Sequence, residues 1–378
     1  MKYFTKNLSI FFKSETVLCI SVIFAVISMF FVKPSALYFD YLDFRVLTLL
    51  FCLMAVVAGL GKAGIFLKLS EKMLIKIKNT RSLGFLLIML CFFSSMWITN
   101  DVSLITFVPF AIMIFTMTGQ IKHMITVIVL QTIAANLGSM LTPIGNPQNL
   151  YLYSVFEVPL QEFLLITLPI TATSFLLLCL SSLLIKKETL VFTLPQSKKA
   201  EKFQRYAIVM YSVLFLVCLA CVVRILDYRI MLVIVIITIL AFDRRVIHMV
   251  DYALLLTFVG FFIFVGNLGN ITIIKDFLAS FVAGKELAVS IVASQFISNV
   301  PAAVLLSTFT NDYRSLILGT NIGGLGTIVA SLASLISFKF YCKTVDSRPL
   351  KFLGVFIVYN IVFLILLCLV NQVTSFSF

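Results

Sequence analysis

Charge is what this sequence has least of. Only 12% of its 378 residues are Asp, Glu, Lys or Arg and 61% are hydrophobic, with a mean hydropathy of +1.12. Soluble domains carry about 25% charged and about 45–50% apolar residues, so a soluble protein is excluded. A phosphate-cradling nucleotide loop is also missing, which argues against an ATP-driven pump. No His/Cys spacing reads as a metal centre or a disulfide framework. The eight cysteines are scattered singly, the closest pair being Cys218 and Cys221 inside one predicted helix. Buried free cysteine behaves as a small hydrophobe, so packing is expected, with a thiol site for a soft metalloid such as arsenite as the rival. The first apolar segment, Thr16 to Val32, follows Lys2, Lys6 and Lys13 as a signal peptide would, but lacks a small-residue cleavage site behind it and reads as a retained helix. The two histidines, His123 and His248, fall beside loops and read as interfacial. No cofactor and no enzymatic chemistry is implied.

What is present is a series of apolar runs close to the roughly 20 residues that cross a bilayer as a helix. Spanning helices are expected at about 14–33, 44–67, 122–150, 160–186, 206–224, 229–242, 250–270, 314–340 and 351–372. Two further apolar stretches, Ser82 to Met117 and Lys285 to Thr308, are broken near their middle by polar residues and a nearby proline. Each suits a hairpin that enters and leaves on one side, because non-helical backbone at membrane depth is tolerated only where protein or a water-filled cavity surrounds it. Threading the chain with the N-terminus inside and the C-terminus outside puts 22 of the 29 Lys and Arg on the cytoplasmic side. Only Lys33, Arg45, Arg224, Arg229, Lys275, Lys285 and Arg314 fall outside, and the bias holds only if both broken stretches are re-entrant. The net charge of +13 is thus a topology signal of a multi-pass protein of the cytoplasmic membrane, not a nucleic-acid footprint.

The threading exposes two units of opposite orientation. Ala58-Gly59-Leu60-Gly61 parallels Gly266-Asn267-Leu268-Gly269, Thr99-Asn100-Asp101 parallels Ser298-Asn299-Val300, and Ala135-Asn136-Leu137-Gly138 parallels Thr320-Asn321-Ile322-Gly323. The expected organisation is a scaffold helix in 1–43 and a first inverted repeat over 44–186 with its hairpin at 82–118. A cytoplasmic linker and accessory helix pair follow over 187–249, then a second repeat over 250–378 with its hairpin at 285–308. Inverted repeats with interrupted helices in matching places point to the binding site of a secondary transporter.

Four polar clusters lie at that depth: Thr99-Asn100-Asp101; Asn136 through Thr142-Pro143-Ile144-Gly145-Asn146 to Asn149; Ser298-Asn299-Val300-Pro301; and Thr320-Asn321-Ile322-Gly323 to Thr327. At a helix break, freed N–H groups of one half-helix favour an anion and freed carbonyls of the other ligate a cation. Small residues and amides also serve as interhelical glue, which is the bland explanation for any one cluster. Among the acids only Asp101 sits within an apolar stretch, so it is the candidate proton acceptor or Na+ ligand, besides its possible duty as a helix cap. No Lys or Arg lies at comparable depth; an anion would be held by amides, hydroxyls and helix N-termini. Trp97, the single tryptophan, either walls this cavity or packs the hairpin.

The segments Trp97 to Leu104, Leu141 to Asn149, Ser298 to Ala303 and Gly319 to Gly324 resemble the ion transporter superfamily of divalent-anion/sodium symporters, citrate-transporter-like permeases, arsenite permeases and one class of Na+/H+ antiporter. The resemblance covers roughly residues 44 to 372. It implies a scaffold and a transport domain, often dimeric, with elevator-type alternating access. Sodium-coupled dicarboxylate members resemble this chain in having Ser-Asn-Thr at both tips, where this chain has Thr99-Asn100-Asp101 and Ser298-Asn299-Val300. The Asn-Asp tip is closer to the arsenite-permease and citrate-transporter-like branches. The expected function is transport of a small anion, a carboxylate or inorganic oxyanion, coupled to Na+ or H+. Arsenite/antimonite efflux and Na+/H+ antiport are the alternatives, and a channel-like or structural membrane protein is the rival from another class.

Overall fold

The computed structural model describes residues 15–64, 77–190 and 202–375. Lys2, Lys6, Lys13, Lys68, Lys72, Lys76 and the middle of the expected linker, with Pro195, lie outside the described residues. The protein is an all-α, multi-pass membrane protein: eight helices are long and apolar enough, among the described residues, to cross a bilayer. Nineteen residues at 1.5 Å each reach about 28 Å, close to the hydrocarbon thickness.

The chain runs α1 (Thr16–Met29), a short α2 (Tyr38–Tyr41), α3 (Phe44–Lys62), α4 (Thr80–Ile98), α5 (Asn100–Met117), α6 (Ile121–Ser139), α7 (Pro147–Val155) and α8 (Leu160–Leu183). It continues with α9 (Lys202–Val222), α10 (Tyr228–Phe242), a 3-10 turn (Arg244–Met249), α11 (Tyr252–Gly269), α12 (Thr272–Val282), α13 (Glu286–Ile297), α14 (Asn299–Leu306), α15 (Tyr313–Ile322), α16 (Leu332–Cys342) and α17 (Pro349–Ser375). Several of the scarce acids are spent on starting helices. Asp43, Asp227, Asp251 and Asp312 each accept a backbone N–H at the N-terminus of α3, α10, α11 and α15.

Both broken stretches fold back on themselves. In the first, α4 and α5 run antiparallel, with Ser94 Oγ 2.7 Å from Ser103 Oγ. Its two ends meet through Glu188, whose N–H donates to Thr80 Oγ1 and whose carboxylate pairs with Lys122. In the second, the base is closed by Thr310 Oγ1 donating to Glu286 Oε1. The bases lie at opposite ends of α8: Thr80 Oγ1 donates to Lys186 O beyond its C-terminus, whereas Tyr313 donates to Glu162 in its first turn. The first hairpin therefore opens toward one end of the molecule and the second toward the other.

The expected helices at 122–150 and 314–340 are each interrupted, at 140–146 and 323–331. Between α11 and the second hairpin, where no helix was expected, the chain forms α12, which turns into α13 at 111°. Its apolar pattern is short and lies between two longer apolar runs. The core centres on α6, buried continuously from Val127 to Met140 and packed against both limbs of the first hairpin. To one side α1 packs on α11, and α3 on α9 and α10.

Candidate functional site

The two hairpin tips share a backbone conformation that side-chain-bearing residues rarely adopt. Thr99 has φ 69° and ψ 150°, and Ser298 has φ 72° and ψ 155°. Such geometry costs on the order of 1–3 kcal/mol and persists only where the surroundings fix it. Here each tip is fixed by the other strand of its own half. Asn100 N donates to Gly145 O at 3.0 Å, and Asn299 N donates to Ala330 O at 3.0 Å. Gly145 and Ala330 lie in the two helix breaks, so each hairpin tip is docked on the break of the interrupted helix that follows it. Gly145 has to be glycine: a Cβ there would stand 2.1 Å from Ser139 O.

The two breaks are in turn joined across the halves by a reciprocal pair of hydrogen bonds. Asn146, the N-cap of α7, donates from Nδ2 to Asn321 Oδ1 at 3.0 Å; Ser331, the N-cap of α16, donates from Oγ to Asn136 Oδ1 at 3.0 Å. Asn136 also accepts from Asn100 Nδ2 at 3.1 Å, and Asn321 donates to Asn149 Oδ1 at 2.6 Å. Asn100, Asn136, Asn146, Asn299 and Asn321 are all buried, at 4% exposure or less. Buried amides in such a web are satisfied by each other, which fixes the breaks relative to both tips.

The structure thus brings Thr99, Asn100, Asp101, Asn136, Gly145, Asn146, Ser298, Asn299 and Asn321 together at the middle of the molecule. Pro301 lies in the first turn of α14, and Gly323 packs on Ser294 and Gly319 O. Of the other expected ligands, Thr142 Oγ1 donates to Met96 O, and Thr320 Oγ1 donates to Leu316 O in its own helix. Trp97 does not line the cavity described below; it is 54% exposed on α4.

Beside the web lies a cavity of ≈ 130 Å³ lined by Thr99, Asp101, Asn146 and Pro147, by α3, and by Met249, Asp251 and Leu254 at the start of α11. Asp101 sits in the first turn of α5, where the helix dipole favours its charge. Its Oδ1 is buried and has no hydrogen-bond partner. None of the eight cysteines lines this cavity, and all are unpaired. Asp251 was invisible as a site residue in the sequence, since it stands at the end of a polar loop where acids are ordinary. Ser331 and Gln295 were missed likewise, whereas Asn149 belongs to the second polar cluster read from the sequence. Gln295 donates to Gly323 O and Leu325 O and accepts from Thr327 N, wrapping the second break.

Two docked tips, two interrupted helices and Asp101 with its Oδ1 buried lie in the segments that carry the resemblance, and the family comparison decides the assignment. A family model described as a citrate transporter matches residues 5–312. The chain belongs to the citrate transporter family. Among its relatives are an uncharacterised transporter of Methanocaldococcus jannaschii, 33% identical over 302 residues that cover 80% of this chain and 82% of the relative, and the inner membrane protein YbiR of Escherichia coli, 28% identical over 307 residues that cover 79% and 80%. As a member of the citrate transporter family the protein is a membrane transporter and not an enzyme. The family match takes in both hairpin tips and the first break; α15 to α17, with the second break, lie beyond it.

Proposed function

We propose that the protein is a secondary carrier of a small anion, a carboxylate or inorganic oxyanion, coupled to Na+ or H+ and working by an elevator-type movement. The observation that carries this reading is the docking of each hairpin tip on the helix break that follows it, with Asp101, its Oδ1 buried and unpartnered, beside the first. Four half-helix N-termini, those of α5, α7, α14 and α16, begin at this place. Their N–H groups and dipoles favour an anion without any arginine clamp. A carboxylate in the same place repels that anion unless a cation or proton binds with it, which is the physical basis for coupling.

In this reading Thr99, Asn100, Ser298 and Asn299 at the tips contact the solute, Asp101 takes the coupling ion, and Asn136, Asn146 and Asn321 hold the geometry. The moving body comprises both hairpins with α6–α7 and α15–α16; α1, α3, α9, α10 and α11 form the scaffold, in the cytoplasmic membrane with the N-terminus inside. Cation exchange is a second reading, favoured by the presence of Asp251 in the same cavity as Asp101. Thiol-mediated arsenite handling has no such support, since no cysteine reaches the cavity.

The test is substrate-induced current in proteoliposomes with citrate, succinate, sulfate, phosphate and arsenite under separately imposed Na+ and proton gradients. Saturable current with a carboxylate or oxyanion, lost in Asp101→Asn, is expected. Cation exchange without any anion dependence replaces it with the second reading.

A further inference from the structure

The cavity beside the site has an inner and an outer acid. Asp101 is the inner one, with Oδ1 buried and unpartnered. Asp251 is the outer one: it is exposed and follows the 3-10 turn Arg244–Met249, which begins next to Asp243, the partner of Lys62. These two are the only ionisable side chains among the described residues that line the cavity; the remaining walls are largely apolar, from Leu50, Leu53 and Met54 to Ile336. Arg244, Arg245 and His248 precede Asp251 in the chain, and Lys62 pairs with Asp243 at 2.6 Å, but none of them lines the cavity.

We propose that this cavity is the route by which the coupling cation reaches the site, with Asp251 the carboxylate that captures it and Asp101 the one that holds it. The inference rests on the cation-coupled reading above and adds a second carboxylate and a direction to it. A volume of ≈ 130 Å³ corresponds to about four waters at ~30 Å³ each, enough for a partly hydrated cation. An anion entering here would meet two carboxylates between low-dielectric walls, which focus the field and raise the local concentration of cations instead. A buried carboxylate oxygen without a partner is costly, and a bound cation or proton is what removes that cost. Asp251 uses Oδ1 to cap α11 through Leu254 N at 2.9 Å, which anchors its charge at the mouth.

The walls belong to both bodies of the proposed elevator. Asp101 and Ile336 stand on the moving helices, whereas Leu50, Met54 and Asp251 stand on α3 and α11. A displacement of one body against the other therefore separates the two acids, so the outer carboxylate serves the site only in the arrangement seen here.

Asparagine caps a helix as well as aspartate does, so Asp251→Asn removes the charge and keeps the local structure. The experiment uses the full-length protein in lipid nanodiscs without any anionic substrate. Radioactive sodium binding is measured in one arm and proton uptake, read with a pH dye after rapid mixing, in the other. The wild type is expected to bind in one arm, and Asp101→Asn to abolish that binding. Asp251→Asn is expected to keep the equilibrium affinity within about threefold, to slow association about tenfold, and to flatten its dependence on ionic strength. Asp251→Glu should restore the rate; Asp251→Ser, which also caps, should repeat the Asn result and replaces it should that variant not fold. Wild-type association kinetics and salt dependence in Asp251→Asn overturn the route, as does a wild type that binds neither ion. If the ion binds as described but no citrate, succinate, sulfate, phosphate or arsenite is carried, anion transport fails and the route stands.

Discussion

Thr99 shows how much at this site is decided by single residues. Its φ of 69° is a conformation in which glycine is at ease and a β-branched residue is not. Thr99→Gly is therefore expected to raise thermal stability, by on the order of 1 kcal/mol, while lowering transport, because the side chain lines the cavity. Unfolding temperature and uptake measured on the same preparation check it; a drop in both would mean that the strain is imaginary. Asn321 tests the opposite case. Asn321→Ala removes the donor to the buried Asn149 Oδ1 and one of the two acceptors of Asn146 Nδ2, which keeps Ser139 Oγ, at a cost of about 1–3 kcal/mol. A clear fall in thermal midpoint is expected even without substrate. The asparagines of the site were legible in the sequence because amides interrupting apolar runs recur at matching places in the two halves, which helix packing alone does not require. Asp251 and Ser331 were not, since an acid in a loop and a serine near a helix start are commonplace, and only their spatial neighbours give them meaning.

At the scale of elements, the first hairpin is held shut by the six residues 185–190 behind α8. Thr80 Oγ1 donates to Lys186 O and accepts from Glu188 N, and Leu190 N donates to Lys78 O. Thr80→Val loses both hydroxyl bonds at a fully buried position and should cost about 1–3 kcal/mol, with faster hydrogen exchange at 185–190 as the local sign. The Lys122 ammonium beside Glu188 holds that carboxyl below its usual range. A lowered folded-state value means the contact contributes above the ordinary glutamate titration, near pH ~4.3, and is lost as pH falls below it. The protection factors of the amides at 185–190, taken relative to the intrinsic exchange rate at each pH, should fall on acidification in the wild type and stay flat in Glu188→Gln. α12 presents Ile273, Phe277 and Phe281 outward at i, i+4 and i+8, the pattern of a helix lying against the apolar edge of a bilayer. Phe277→Asp is expected to lower membrane-inserted yield, while Lys275→Ser, in the same helix, leaves it unchanged.

For the whole molecule, the proposed elevator requires the hairpin-bearing helices to move against α1, α3, α9, α10 and α11. A crevice of ≈ 550 Å³ is lined by Asp40, Arg45 and Tyr228 on one side and by Tyr151 and Thr308 on the other. Tyr151 on α7 meets Phe262 on α11 with ring centroids 5.7 Å apart. In a background cleared of other reactive thiols, Tyr151→Cys with Phe262→Cys joined by a short bifunctional reagent should stop transport reversibly and leave ion binding intact; continued transport in the cross-linked protein would rule out relative motion at this contact. The sequence by itself determined that this is a helical membrane protein with paired polar interruptions, because apolar length and the placement of lysine and arginine answer to the bilayer alone and need no partner. The tertiary structure alone decided that the first tip docks on Gly145 and the second on Ala330, that Asn146 reaches Asn321 while Ser331 reaches Asn136, and that Asp251 shares a cavity with Asp101. Those contacts join residues up to 195 positions apart, and hydrogen bonding at such separation depends on how the two halves pack rather than on any local pattern in the chain.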